Sequence, residues 1–183
     1  MRWESLFADL EAELAAAEAA ELAGEVAERT RGERAAVRLA DRLRAAIGAE
    51  VELVLLGGAD RLRGRLEATG PDWSLLVDSS GVEHLVPHSG VAAVSGLGVL
   101  AEPSTSQVEA RLDFVSGLRG IARRRAAVRI RLVDGGEWVG TVDRVGADAL
   151  DLAVHAPGEA RRASAVRQVA VIPLRAIAAV RAD

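Results

Sequence analysis

The sequence predicts an α+β protein: an N-terminal α-helical segment followed by two tandem five-stranded, strongly bent small β-barrels, each preceded by a helix. Apolar residues near the N-terminus recur at steps of three and four, and two later segments share one pattern with alternating apolar and polar positions. The predicted organisation is an acidic amphipathic helix over residues 1–32, a helix and first barrel over 33–97, a linker over 98–106, and a helix and second barrel over 107–183.

The composition of the 183-residue chain excludes several classes of protein. Half of the residues are hydrophobic and 27% are charged, which is typical of a folded chain rather than a disordered one. Cysteine is absent, which excludes disulfides and thiolate zinc sites, and the exclusive use of arginine as base is typical of a GC-rich bacterial genome. Neither a signal region nor a membrane span is apparent, so we expect a cytoplasmic protein that does not enter a membrane.

Charge is distributed unevenly along the chain. Residues 1–28 contain eight acids and one base, a net charge of −7, whereas residues 107–183 contain thirteen bases and nine acids, a net charge of +4. Asymmetry of this kind concerns the choice of partners rather than the fold.

The N-terminal helix is predicted to carry an apolar stripe with the spacing of one helix face. Its candidate self-association residues are Trp3, Phe7, Leu10 and Leu14. The stripe can pack onto the same chain or form a short coiled coil with a second copy, and it ends before Glu21 after barely two heptads. Because Thr30-Arg31-Gly32-Glu33 has the form of a capping box, a second helix can start there; one long helix is the alternative.

An internal repeat is the most informative feature of the sequence. The two segments agree in apolar residues, glycines, aspartates and prolines, in the same order, which indicates a duplication. The matched pairs are Val51 and Val128, Leu53 and Ile130, Leu55 and Leu132, Gly64 and Gly140, Leu66 and Val142, Gly70 and Gly146, Asp72 and Asp148, Val86 and Ile172, Pro87 and Pro173, Val91 and Ile177, and Val94 and Val180.

Each repeat is predicted to form five short strands. The second strand has arginines on its solvent face, and Gly64 and Gly140 lie in mid-strand, where a glycine usually marks a sharp bend or bulge. Proline ends each fourth strand because it cannot donate to the ladder. Trp73 and Trp138 are predicted to be barrel residues.

The order of helix, bent strand pair with a mid-strand glycine, and strand–turn–strand ending in Val/Ile-x-x-Val resembles the Sm-like fold. Other small bent barrels, such as SH3-like and PRC-type domains, share this pattern. The resemblance implies assembly into rings through edge strands and binding of RNA. The RNA-binding signatures of that family are absent: the chain has no asparagine, and Pro87-His88-Ser89-Gly90 and Pro173-Leu174-Arg175-Ala176 replace the Arg-Gly motif.

No combination of residues in the sequence indicates catalysis. His84, His88 and His155 are interpreted as solvated loop histidines rather than metal ligands, because no cysteine or acidic trio accompanies them. We therefore expect no catalytic residues, no metal and no cofactor, and we infer no small-molecule substrate.

Arginines are concentrated at the end of the second predicted helix and beyond it. They are either a solvated face that complements the helix dipole or a surface that contacts phosphates. The candidate nucleic-acid-binding residues are Arg119, Arg123, Arg124, Arg125, Arg129, Arg131, Arg161 and Arg162.

Two functions follow as predictions. The first is a non-enzymatic interaction, adaptor or regulatory module that self-associates through open strand edges and the apolar helix, as a homo-oligomer or with a protein partner. The second is a regulator that binds RNA or DNA through the arginine-rich second barrel, with the acidic N-terminal helix competing for that surface.

Overall fold

The structure, a computed structural model, describes residues 3–57, 61–104, 106, 111–158, 162 and 166–182, with the backbone alone at 3–10, 12, 19, 33 and 34. The chain forms two units, Met1–Arg38 and Leu39–Asp183. The described helices are α1 (Trp3–Ala36), α2 (Leu39–Arg44) and α3 (Phe114–Arg124). The described strands are β1 (Glu50–Leu55), β2 (Arg61–Thr69), β3 (Trp73–Asp78), β4 (Glu83–Pro87), β5 (Val91–Ser95), β6 (Ala127–Leu132), β7 (Glu137–Val145), β8 (Ala149–Val154), β9 (Gln168–Pro173) and β10 (Ile177–Ala182).

Helix α1 is continuous through Gly32 and ends at Ala36, so the predicted start of a helix after Thr30 is wrong. The Thr30 hydroxyl donates to the carbonyl of Val26, 2.8 Å away, which is a bond made within a helix rather than at its start. Acids early in α1 and arginines near its end match the helix dipole and favour one helix. The apolar stripe predicted within residues 1–32 stays a prediction, because most of its side chains lie outside the described residues.

The unit Leu39–Asp183 contains one antiparallel sheet of ten strands, in the order β5-β1-β2-β3-β4-β10-β6-β7-β8-β9. The predicted architecture of two five-stranded barrels is therefore wrong, although the α+β class fits in part. Strand β10 pairs with β6 on one side and with β4 on the other, where Val180 lies opposite Leu85. Side-chain patterns predict the strands within a repeat. They do not indicate which other strand will pair with a strand edge, because that pairing is made by backbone groups.

The internal repeat is confirmed by the strand registers. Leu53 pairs with Val94 in the first repeat, as Ile130 pairs with Val180 in the second. The register also shifts at matching places in β2 and β7, between Leu66 and Ala68 and between Val142 and Arg144. The two repeats are therefore the same sequence of strands with the same bulges.

The hydrophobic core consists of two clusters that exchange residues between the repeats. Leu85 of β4 belongs to the cluster of the second repeat, together with Phe114 and Leu118 of α3. Ala178 and Ala179 of β10 belong to the cluster of the first repeat. The pairing of β4 with β10 thus joins the two cores as well as the two halves of the sheet.

Gly64 and Gly140 occupy equivalent places where neighbouring strands approach closely. A Cβ atom on Gly64 would lie 2.4 Å from the carbonyl oxygen of Val77, and one on Gly140 would lie 2.3 Å from that of Ala153. Both distances are far below a van der Waals contact, and the obstacle is backbone. Glycine is therefore required at these positions by proximity.

We expect Gly64→Ala and Gly140→Ala each to lower the free energy of unfolding by roughly 1–3 kcal/mol, because the strands must separate to admit a methyl group. Urea denaturation followed by circular dichroism measures the effect. Gly120→Ala in α3 is the control: its Cβ would meet nothing closer than 3.9 Å, so it should be neutral or stabilising. A loss as large in the control would contradict this explanation.

Candidate functional site

Among the described residues, the sheet ends in two strands, β5 and β9, each of which pairs with a neighbour along one edge only. An unpaired edge presents N–H and C=O groups that another chain can pair with. Neither Val91–Ser95 nor Gln168–Pro173 contains a charged residue, the usual means of blocking such pairing. Val169 and Val171 of β9 are 59% and 67% exposed, so this edge also offers apolar surface.

At the junction between β4 and β10, the repeat counterparts of the two edge strands pair with each other. By the repeat, β4 corresponds to β9 and β10 corresponds to β5. Leu85 of β4 is 9% exposed and Ala178 of β10 is fully buried. Their counterparts Val171 and Ala92 are both exposed. Because the registers within the repeats agree, this difference follows from the presence of a partner strand.

The predicted nucleic-acid-binding arginines fall into two groups in the structure. Arg119, Arg123 and Arg124 are exposed on α3, and Arg125 follows as its C-cap, with a left-handed backbone at φ 52°. Arg129 and Arg131 lie on β6 and share the carboxylate of Glu137, at N–O distances of 2.6 and 3.7 Å. Arg162 is exposed, and Arg161 lies outside the described residues.

Three residues that the sequence did not assign to a binding surface join the β6 arginines. Arg61 of β2, His84 of β4 and Arg181 of β10 line one recess with Arg129 and Arg131. Pairing of β10 with both β4 and β6 brings His84, Arg181 and Arg129 together, although they are far apart in sequence. Arg61 of β2 reaches the same recess from the first repeat. The only sequence signal was the outward alternation of arginine in β2.

The recess has an ion-pair network on its first-repeat side. Glu52 accepts hydrogen bonds from Arg61, at 2.5 Å, and from Arg63. These bonds, the Arg63 bond foremost, hold the pKa of Glu52 below its usual value. Glu52 is therefore a carboxylate that orients Arg61 and Arg63 of β2.

The candidate self-association residues of α1 remain a prediction. The side chains of Trp3, Phe7 and Leu10 lie outside the described residues. Leu14 is exposed, as are Leu22 and Val26 further along the helix.

The interpretation of the histidines as solvated loop residues is wrong for His155, which is buried, whereas His84 and His88 are partly exposed and bonded to neighbouring side chains. His155 is 2% exposed, and its Nε2 lies 3.0 Å from the hydroxyl of Thr141. His88 Nε2 lies 3.0 Å from the hydroxyl of Ser74, and burial lowers the pKa of His88. His84 lies 2.8 Å from the carboxylate of Asp78.

Asp78 is the acceptor of a local network at the end of β3. The hydroxyl of Ser80 and the ring of His84 contribute most, and the backbone N–H of Val82 adds a third bond. Together they hold the pKa of Asp78 far below its usual range. This network fixes the turn between β3 and β4.

The polar clusters around His88 and Asp78 join neighbouring strands and turns of the sheet. Ser74, the hydroxyl partner of His88, is buried, so a substrate cannot reach it. Among the described side chains, no group of three His, Cys, Asp or Glu residues is placed to hold a metal ion. A cavity of about 640 Å³ lies beside Trp73, whose indole N–H donates to the carbonyl of Leu112 at 2.6 Å.

No family model, curated protein or solved structure matches the chain. In the part of the chain that the structure describes, no helix has both the length and the apolar character needed to cross a membrane.

We expect the free energy of unfolding to fall as the pH is lowered from 7.5 to 5.5, in part through His88. Burial lowers its pKa in the folded state, so its contribution is present above the pKa of the unfolded chain, about 6.5, and decreases below that value. Urea denaturation at both pH values should show a smaller fall in His88→Gln. An equal fall in the variant and the wild type would contradict the role of His88.

Proposed function

We propose that the protein is a non-enzymatic assembly module that self-associates by pairing β9 of one copy with β5 of the next. The observation that carries this proposal is the internal β4–β10 junction, where the counterparts of these two strands already pair. One chain thus contains a pairing and also the two unpaired strands needed to repeat it between copies.

The repeat specifies the register of the proposed contact. Within the chain, Leu85 lies opposite Val180 and His84 lies opposite Arg181. The corresponding residues at the free edges give two pairs between copies, Val171 opposite Val94 and Ala170 opposite Ser95. The pairing would cover Val171, which is exposed in the single chain.

The contact joins two different surfaces, so each added copy leaves one β5 and one β9 free. Such a head-to-tail contact produces a ring if the rotation between copies closes and a filament if it does not. The rotation between copies therefore sets the number of copies in the assembly. An adaptor function follows from the same edges, because a partner protein with a free strand could occupy an end of the assembly.

The proposed contact differs from the internal junction at one close approach. Gly90 lies so near Ala178 that a Cβ atom on it would be 2.8 Å from the Cα of that residue. The counterpart of Gly90 is Ala176, which has a Cβ atom. The contact between copies must therefore be slightly wider at this end, and weaker than the internal junction.

We expect the wild-type chain to form oligomers that Val171→Lys dissociates, because a charge at the centre of β9 opposes burial against β5. Light scattering coupled to size-exclusion chromatography measures the mass. Val99→Lys is the matched control, since Val99 is 96% exposed and lies outside the strands. A monomeric wild type at high concentration, or an unchanged mass for Val171→Lys, would overturn the proposal.

The register is tested by a disulfide, because the natural chain has no cysteine. Directly opposed residues of antiparallel strands have Cα atoms about 4.5–5.5 Å apart, within the range that a disulfide bridges. A chain with Val94→Cys and Val171→Cys should form a ladder of cross-linked copies on mild oxidation.

The control for the cross-link is a chain with Val94→Cys and Val169→Cys. Val169 lies two residues further along β9, beyond disulfide reach in the proposed register. We expect little cross-linking of this chain. Equal ladders from both chains, seen on non-reducing gels, would show that the edges do not pair in the proposed register.

A further inference from the structure

A basic recess lies where the two repeats meet, on the polar face of the sheet. Arg181 of β10 is opposite His84 of β4 on one side and opposite Arg129 of β6 on the other. Because paired residues project from the same face of a sheet, these three basic side chains form a row across three strands. Arg61 and Arg131 line the same recess, which has a volume of about 60 Å³.

Positive charge exceeds negative charge in this recess. Its lining includes four arginines and one carboxylate, that of Glu137, which is bound by Arg129 and Arg131. Arg61 is bound to Glu52, and His84 to Asp78. No ion pair of Arg181 is found within the described part of the chain, so its guanidinium has donors to offer an added anion.

The fold does not require these basic residues. In the repeat, Arg181 corresponds to Ser95, His84 to Ala170 and Arg129 to Glu52, although the strands have the same register. Placing like charges opposite one another on adjacent strands is unfavourable by itself. The counterparts Ser95 and Ala170 lie at opposite ends of the sheet and carry no charge, so the repeat does not impose the basic residues at the β4–β10 junction. Their convergence at this one junction points to a function beyond the stability of the sheet.

We infer that this recess binds a phosphate group, with Arg181 as its main ligand and Arg61, Arg129 and Arg131 around it. Guanidinium groups bind phosphate oxygens through paired charge-assisted hydrogen bonds, and the recess admits an anion of about that size. Its rim is open, because the side chain of Arg61 is 65% exposed, so the phosphate can belong to a small ion or to a nucleic-acid backbone.

The experiment measures binding of two probes to the full chain in low-salt buffer without phosphate. Calorimetry follows inorganic phosphate, and fluorescence anisotropy follows a labelled twelve-nucleotide single strand of mixed sequence. Arg181→Ser introduces the residue found at the equivalent position of the other repeat. Arg61→Ser is a second variant, at an exposed side chain on another strand.

We expect Arg181→Ser to weaken binding roughly tenfold or more, because a hydrogen bond to a charged group is lost. Arg175→Ser is the matched control, since Arg175 is exposed, outside the recess, and changes the net charge equally. It should change binding by less than about twofold. Light scattering on the same samples checks that assembly is unchanged, which separates this test from that of the proposed function.

The outcome identifies the source of the phosphate. Binding of both probes, lost in Arg181→Ser and decreasing steeply with salt for the oligonucleotide, assigns a nucleic-acid surface. Binding of inorganic phosphate alone assigns a site for a small anion. Failure of the wild type to bind either probe, or equal losses in Arg181→Ser and Arg175→Ser, would overturn the inference.

Discussion

Backbone pairing between β4 and β10 is the interaction on which the architecture of the unit Leu39–Asp183 depends. It occupies two strands that would otherwise be the free edges of separate sheets, and it brings Leu85 into the core of one repeat and Ala178 into that of the other. Unpaired strand edges leave strong donors and acceptors to water or to another chain. Covering one pair of edges inside the chain leaves the equivalent pair, β5 and β9, at its ends.

The duplication gives the molecule an internal control. The two repeats have the same strand registers and the same bulges but different neighbouring strands. A difference in burial between equivalent residues therefore reflects the neighbouring strands rather than the local structure. Val171 is exposed, whereas its repeat counterpart Leu85 is buried. Arg181 has Ser95 as its counterpart in the other repeat. The first difference supports the assembly proposal and the second supports the phosphate site.

The two proposals concern separate parts of the sheet. The edges β5 and β9 lie at its two ends, whereas the basic recess lies at its centre, across β4, β10 and β6. An assembly built through the edges would leave one recess per copy on the polar face. Repeated basic sites along an oligomer would strengthen binding to an extended polyanion through effective concentration.

The sequence by itself determined the elements and the repeat. Alternation predicted the strands, and prolines predicted the ends of β4 and β9. A bend or bulge was expected at Gly64 and Gly140; each is instead a close approach to the neighbouring strand, and the bulges lie further along β2 and β7. These features depend on residues near one another in the chain, where side-chain size and backbone freedom act directly. The start of a second helix after Thr30 failed for a local reason as well, since its hydroxyl can bond within a helix.

Only the tertiary structure decided how the repeats join, where the histidines lie and which arginines meet. Pairing of β4 with β10 is made by backbone groups that every residue except proline possesses, so no residue pattern specifies it. His155 was misjudged because its burial depends on the partner strands around it, and Arg61, Arg129 and Arg181 converge through pairing of distant strands. Local residue patterns determine strands and turns, whereas the pairing of a strand edge depends on which other strand lies beside it in the folded chain.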